Sequence, residues 1–366
     1  MYQNQFSMDG MDGMDMWETP GKRMNKRRKR KAKKADDRSA MMQNRKEIVR
    51  TPTEEAIIES HTRRCQSKKY VELHCSMEDG IPEDVHEELL NALKRQRGDF
   101  RHGLDKDAKL SLKRLKEKHK DIRLSLSQAR SLKSRLARLA ATNNQKEIME
   151  KQARILEDHE AGVSLGQLSR QYDAPPNNLR KLIYGAKGFN KEQIKEMMVS
   201  PDKSSLLSEK EKKEALSAME QDQTASTNQR KKKRIARGFE QKLLNKFRAL
   251  KIEICTEDDI KACKKKKKGQ LKNIPTPDFL LLDDVFLNGQ HIKWIDAKCF
   301  YGCSLDSKSI KKTIEKYNKH FGPGLLVFKH GFTRSLRNKF PGTLFAEVST
   351  LTECMGSGKI KIKTLE

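Results

Sequence analysis

The sequence has no Cys-x-x-Cys pair, no glycine-rich phosphate loop and no apolar run of membrane-spanning length. The first absence argues against zinc ribbons and thioredoxin-like sites, the second against P-loop chemistry, and the third against a helical membrane span. Residues 1–17 also lack the apolar stretch of a secretory signal, so a soluble chain with no membrane partner is expected. The seven cysteines, Cys65, Cys75, Cys255, Cys263, Cys299, Cys303 and Cys354, are odd in number and scattered. That pattern favours free thiols in a reducing compartment over a disulfide framework. His61, Cys65, His74 and Cys75 have the chemistry of a zinc set but the spacing of no common finger.

Positive charge, by contrast, is abundant. Charged residues make up 35% of the 366-residue chain, as much as apolar ones, and the formal net charge is +28. Such a chain cannot be packed core throughout, so tails and exposed helices are expected. An excess of this size repels itself in a compact state, and a polyanionic partner relieves the repulsion. Nucleic acid, an acidic membrane surface and an acidic protein all qualify, with nucleic acid the commonest.

Four regions follow from the pattern. Residues 1–80 read as a mostly disordered basic tail, whose block of Lys and Arg at 22–34 has no apolar face to bury. It reads as a nuclear-import signal or a nucleic-acid-binding arm, which places the chain in the nucleus, with the cytoplasm as a second location. Residues 81–200 are expected to be helical: Leu112, Leu115, Ile122, Leu126, Leu132, Leu136 and Leu139 recur at helical spacing. Within this region Ser164 and Gln167 form a capping box, Asp173-Ala174-Pro175 breaks the chain, and Pro176 suits the first turn of a second helix. The pair resembles a helix-turn-helix, with Asn177, Asn178, Arg180 and Lys181 facing out to nucleic acid. Residues 201–234 read as a polar linker ending in a second basic cluster.

Residues 235–366 change character. Ala236, Phe239, Leu243, Leu244, Phe247 and Leu250 mark an amphipathic helix, and Asn288-Gly289 joins two strands in a hairpin. Ile310, Ile314, Tyr317 and Phe321 mark another helix, and 325–328 a further strand, so a mixed α/β sheet domain is expected. Cutting a phosphodiester takes a hard cation, oxygen ligands and an activated water. Asp296 and Lys298 stand two apart on a strand and share a face, while the carbonyl of Ala297 lies at the site edge. Pro277 suits the start of the other strand, and the hairpin returns Asp278 towards Asp296. Burying an acid and a lysine in an otherwise apolar strand costs several kcal/mol unless they pair or bind metal. Asp283 and Asp284 are expected to be solvated, and Lys312 and Tyr317 to face substrate or, for Tyr317, the core.

The trio Asp278, Asp296 and Lys298 resembles the PD-(D/E)xK (restriction-endonuclease-like) nuclease superfamily. Thr276-Pro277-Asp278-Phe279, Trp294-Ile295-Asp296-Ala297-Lys298 and His320-Phe321-Gly322-Pro323-Gly324-Leu325 together resemble the codanin-interacting nuclease family. The likeness covers about 236–350, and 110–200 more loosely. It implies a nuclear, Mg²⁺- or Mn²⁺-dependent endonuclease acting on nucleic acid, DNA rather than RNA, with a codanin-like protein partner. It also implies an all-α helix-turn-helix-like region ahead of the nuclease sheet, and superfamily members often act as homodimers. Asp278 and Asp296, with the Ala297 carbonyl, would hold metal, Lys298 would position water, and Glu240 is the matching acid on the first helix. The family motif carries Glu where this chain has Asp296, and the lysine run at 264–268 is an addition. Two other readings compete: an inactive nucleic-acid or chromatin adaptor that keeps the nuclease fold, and a helix-turn-helix transcription regulator.

Overall fold

In a computed structural model of the protein, residues 69–77, 79–266, 273–356 and 360–364 are described. The basic block at 22–34, with the import or arm role expected of it, lies outside them. The described chain opens with β1 (Lys69–Leu73) and continues through helices α1 (Glu83–Ala92), α2 (Lys106–Lys118), α3 (Leu126–Asn143), α4 (Gln145–Glu150), α5 (Gln152–Glu160), α6 (Leu165–Tyr172), α7 (Pro176–Ala186), α8 (Lys191–Val199), α9 (Glu209–Gln221) and α10 (Ser226–Ala249). There follow β2 (Ile254–Thr256), α11 (Glu257–Lys266), β3 (Phe279–Leu287), β4 (Gln290–Lys298), α12 (Ser307–Phe321) and β5 (Gly324–Phe328). The chain closes with α13 (Arg334–Asn338), β6 (Leu344–Glu347), α14 (Val348–Gly356) and β7 (Ile360–Thr364).

This is a mixed α/β architecture: a helix-rich region followed by a mixed sheet flanked by helices. The strand order is β6-β5-β4-β3-β1-β7, with β2 also on β3. The β3–β4 hairpin turns at Asn288 and Gly289, both at positive φ (52° and 82°), the geometry that lets a two-residue loop follow the twist of its strands. One sheet face buries Phe239, Leu243 and Phe247 of α10 against Val285, Ile295 and Val327. The other buries Ile310, Ile314 and Phe321 of α12 against Trp294, Leu326 and Phe328. Apolar residues on both faces give β3 and β5 their nearly unbroken burial.

The outer edge of β3 is divided. Residues 279–281 pair with β2, residues 284–287 pair with β1, and the hairpin register shifts between Leu280 and Val285. Where one partner strand ends and the next begins, two backbone N–H groups lose their ladder acceptors. Asp283 meets both: one carboxylate oxygen accepts from Lys69 N (3.0 Å) and the other from Glu253 N (2.8 Å). The expectation that Asp283 and Asp284 are solvated is therefore corrected, since they are 2% and 7% exposed and serve the sheet. Asp283→Ala strands two buried donors and is expected to cost about 2–4 kcal/mol in a urea melt. A change under 0.5 kcal/mol would contradict this role.

Three further expectations change. β1 lies within residues 1–80 yet is an inner strand between β3 and β7. Its five residues pair with partners more than 200 positions away, so nothing local marks them. Residues 201–234 are no linker: α9 starts on a capping box (Ser208 with Glu211), and α10 runs unbroken from 226 past 234. α9 packs through the small side chains of Ala215 and Ala218, which leave little hydropathy to read. All the described residues lie in one compact unit. Finally, Cys75 and Cys354 form a disulfide with Cα atoms 5.2 Å apart, whereas Cys255, Cys263, Cys299 and Cys303 are free.

Candidate functional site

The hairpin register sets the site. Phe279 pairs with Ile295, so Asp278, one residue before β3, stands level with Asp296 on β4. Asp278 accepts a hydrogen bond from the backbone N–H of Ala297 (2.7 Å), which ties the acid to the neighbouring strand. Asp296 is 5% exposed and ion-paired with Lys298, as their spacing of two on one strand predicts. Lys298 is partly exposed at the strand end, so its ammonium reaches both the buried acid and solvent.

These acids repel one another. Burial, reinforced by Asp296 and then Glu240, pushes the Asp278 carboxyl well above the usual carboxylate range, against the opposing pull of the Ala297 N–H and Lys298. Glu240 on α10 is partly buried and is likewise pushed up, by burial, then Glu257, then Asp296. Burial, then Asp296, Asp278 and Glu257, also raise the Tyr317 hydroxyl. Asp278, Asp296, Lys298 and Glu240 are therefore brought into one electrostatic neighbourhood. Of Ala297, it is the N–H that engages Asp278.

The sequence reading missed Glu257. It opens α11, where Glu257-Asp258-Asp259 reads as an ordinary acidic first turn. Its carboxylate accepts from the Thr276 hydroxyl (3.3 Å) and pairs with Lys261 (2.7 Å), while its N–H donates to the Asp278 carbonyl (3.2 Å). Tyr317 works from the other side: its hydroxyl donates to the Thr276 carbonyl (3.2 Å), and its ring packs edge-on against Trp294. The loop 276–278 is thus held between α11 and α12, and the threonine has a positional role that its sequence does not reveal. Lys312 is exposed on α12.

Among the described residues, no group of three or more His, Cys, Asp or Glu side chains stands close enough to hold a metal ion. The donor chemistry still suits a hard cation. Two carboxylates from adjacent strands and a third acid nearby repel one another, and one lysine offsets them only in part. Oxygen donors of this kind are the ones that magnesium and manganese take.

The four residues expected to face nucleic acid divide. Asn178 and Lys181 are exposed on α7, but Asn177 and Arg180 are 5% and 1% exposed. Asn177 bonds Asp222 and the Ala218 carbonyl, and Arg180 donates to Asn177 and to the carbonyls of Ala215 and Met197. The helix pair forms as read, with the Ser164–Gln167 capping box, left-handed Asp173 and Pro176 in the first turn. Its second helix turns those two residues inward because α8 and α9 cover that face.

No solved structure matches the chain. An uncharacterized protein of Acanthamoeba polyphaga mimivirus is 36% identical over 120 residues, 31% of this chain and 40% of the viral protein. The chain thus spans about two fifths of the length of that curated relative. Residues 207–347, from just before α9 to the end of β6, match the family described as a protein of unknown function with a TPD sequence motif; this stretch carries all five of the residues Glu240, Glu257, Asp278, Asp296 and Lys298.

Proposed function

We propose that the protein is a metal-dependent nuclease of the PD-(D/E)xK type that hydrolyses phosphodiester bonds in nucleic acid, DNA rather than RNA, in the nucleus. The observation that carries this reading is the meeting of Asp278 and Asp296 at the hairpin mouth, with Lys298 paired to the buried acid. Folding two carboxylates against each other beside a third acid costs stability, and a site of that kind is retained where a cation neutralises it. Asp278 and Asp296, with the Ala297 carbonyl, would hold Mg²⁺ or Mn²⁺, and Glu240 would face it from α10. The bound cation would supply Lewis-acid stabilisation of the phosphate and lower the pKa of a water. Lys298 would orient that water and offset phosphate charge as it exchanges Asp296 for substrate. Glu257 and Tyr317 would act as positioning residues for the 276–278 loop. By family resemblance a codanin-like protein is the proposed partner, and a homodimer is an arrangement to be tested by sedimentation.

The test is cleavage of branched, flapped, single-stranded and duplex DNA and RNA by the full chain with Mg²⁺, Mn²⁺ or EDTA. Cleavage of at least one DNA, supported by either cation and abolished by EDTA, is expected. Tight binding with no cleavage of any substrate would replace this reading with that of an inactive adaptor.

A further inference from the structure

Helix α10 carries two different surfaces. Its C-terminal half buries Phe239, Leu243 and Phe247 under the sheet. Its N-terminal half contains Arg230, Lys231, Lys232, Lys233, Arg234 and Arg237, and the first acid along the helix is Glu240. Arg230, Lys233, Arg234 and Arg237 follow an i, i+3, i+4, i+7 spacing, so they form one stripe, and all four are exposed. Like charges at these spacings destabilise a helix. On other helices several exposed lysines pair with an acid one turn away, as in Lys113–Glu117, Lys146–Glu150 and Lys311–Glu315. The α10 stripe forms no ion pair among the described residues.

A second helix adds to the charge. Lys232 turns inward and donates to the Ser134 hydroxyl of α3 (2.9 Å). Burial, and then the neighbouring Arg138, push its ammonium down to about 8. Arg138 is itself exposed on α3. The cations are therefore crowded across two packed helices, and Asp222 beside Lys232 and Asp306 beside Arg138 offset the crowding only in part.

We infer that the exposed stripe Arg230, Lys233, Arg234 and Arg237, flanked by Arg138, binds a nucleic-acid phosphate backbone and leads it to the carboxylates at Glu240. The inference rests on the nuclease reading for where the strand goes. From Arg230 to Arg237 the helix rises about 10 Å, enough to face roughly three phosphates of one strand. Arg237 is one helical turn from Glu240, so the surface ends at the site. That continuity favours nucleic acid over an acidic protein.

The test uses the full chain carrying Asp278→Asn, in EDTA, with fluorescein-labelled duplex DNA followed by anisotropy at several salt concentrations. Changing Arg230, Lys233, Arg234 and Arg237 together to Gln, which keeps helix propensity, is expected to weaken binding on the order of 30-fold or more. The slope of log affinity against log salt should fall by roughly three to four. The same change at Lys106, Lys109, Lys113 and Lys116 of α2 should alter affinity less than twofold. Bound DNA should protect Lys231 and Lys233 from acetylation, read by mass spectrometry. Unchanged affinity and slope, or protection confined to lysines in the 22–34 block, overturns the inference. So does displacement of DNA by poly-glutamate as effectively as by unlabelled DNA. Because binding is read without metal, its loss in a chain that never cleaves would sink the nuclease reading alone. Cleavage by the parent chain with binding unaffected by the stripe would sink this inference alone.

Discussion

Asp278→Asn is expected to lose DNA cleavage by about 10³-fold and to melt at a higher temperature than the parent chain at pH 8 without metal. The two effects share one cause. Asn keeps an oxygen that can accept from the Ala297 N–H, so the tie between the strands survives. It removes a charge that burial, Asp296 and Glu240 all disfavour. The folded pKa of Asp278, about 8, lies above the unfolded value, so the folded chain binds the extra proton. Its contribution to stability is therefore fully present below about pH 4 and is lost as pH rises through about 8. The parent chain should lose melting temperature across that window in EDTA, and Asp278→Asn should lose less. At pH 8 a gain of about 1 kcal/mol, or about 1–2 °C for a chain of this length, is expected. Added Mg²⁺ should raise the melting temperature of the parent and leave Asp278→Asn nearly unmoved. A lower melting temperature for Asp278→Asn at pH 8 would make the carboxylate a structural group and remove the argument for a cation site.

Local signals explain what the sequence could reveal of this site. Asn288-Gly289 names a hairpin turn, the apolar pattern gives its strands, and the spacing of Asp296 and Lys298 gives a shared face. Together they return Asp278 towards Asp296, and the pairing of Phe279 with Ile295 sets the two acids level. The Ser164–Gln167 capping box and Pro176 located the α6–α7 pair for the same reason. What escaped depends on distant partners. Lys69–Leu73 is a strand only because β3 and β7 flank it. Asp283 is buried only because two strand beginnings need its oxygens. Glu257 joins the site only because α11 packs against the 276–278 loop. A charged or polar residue in a sequence reads as solvated, and each of these reverses that default through contacts from another part of the chain.

Arg180 is the largest such reversal, and Arg180→Ala is expected to destabilise the chain by about 3–5 kcal/mol. Its guanidinium is 1% exposed and donates to Asn177 Oδ1 (2.9 Å), the Met197 carbonyl (3.0 Å), the Ala215 carbonyl (3.1 Å) and the Tyr184 hydroxyl (3.4 Å). These acceptors lie on α7, α8 and α9, so one planar group with donors in fixed directions joins three helices. Alanine leaves the carbonyls without that donor in a dry interior and opens a cavity beside Tyr184. Arg180→Lys should recover little, since a single ammonium cannot span three divergent acceptors. Lys181→Ala, one residue on but exposed, should stay within about 0.5 kcal/mol of the parent. Urea melts of the three variants measure this directly. An Arg180→Ala chain with parental stability but weakened DNA binding would restore the outward-facing reading. With Arg180 and Asn177 committed to α8 and α9, any contact between the start of α7 and DNA falls to Asn178 and Lys181. Lys181→Ala should then lower DNA affinity without changing the melt, which separates recognition by this helix pair from its folding.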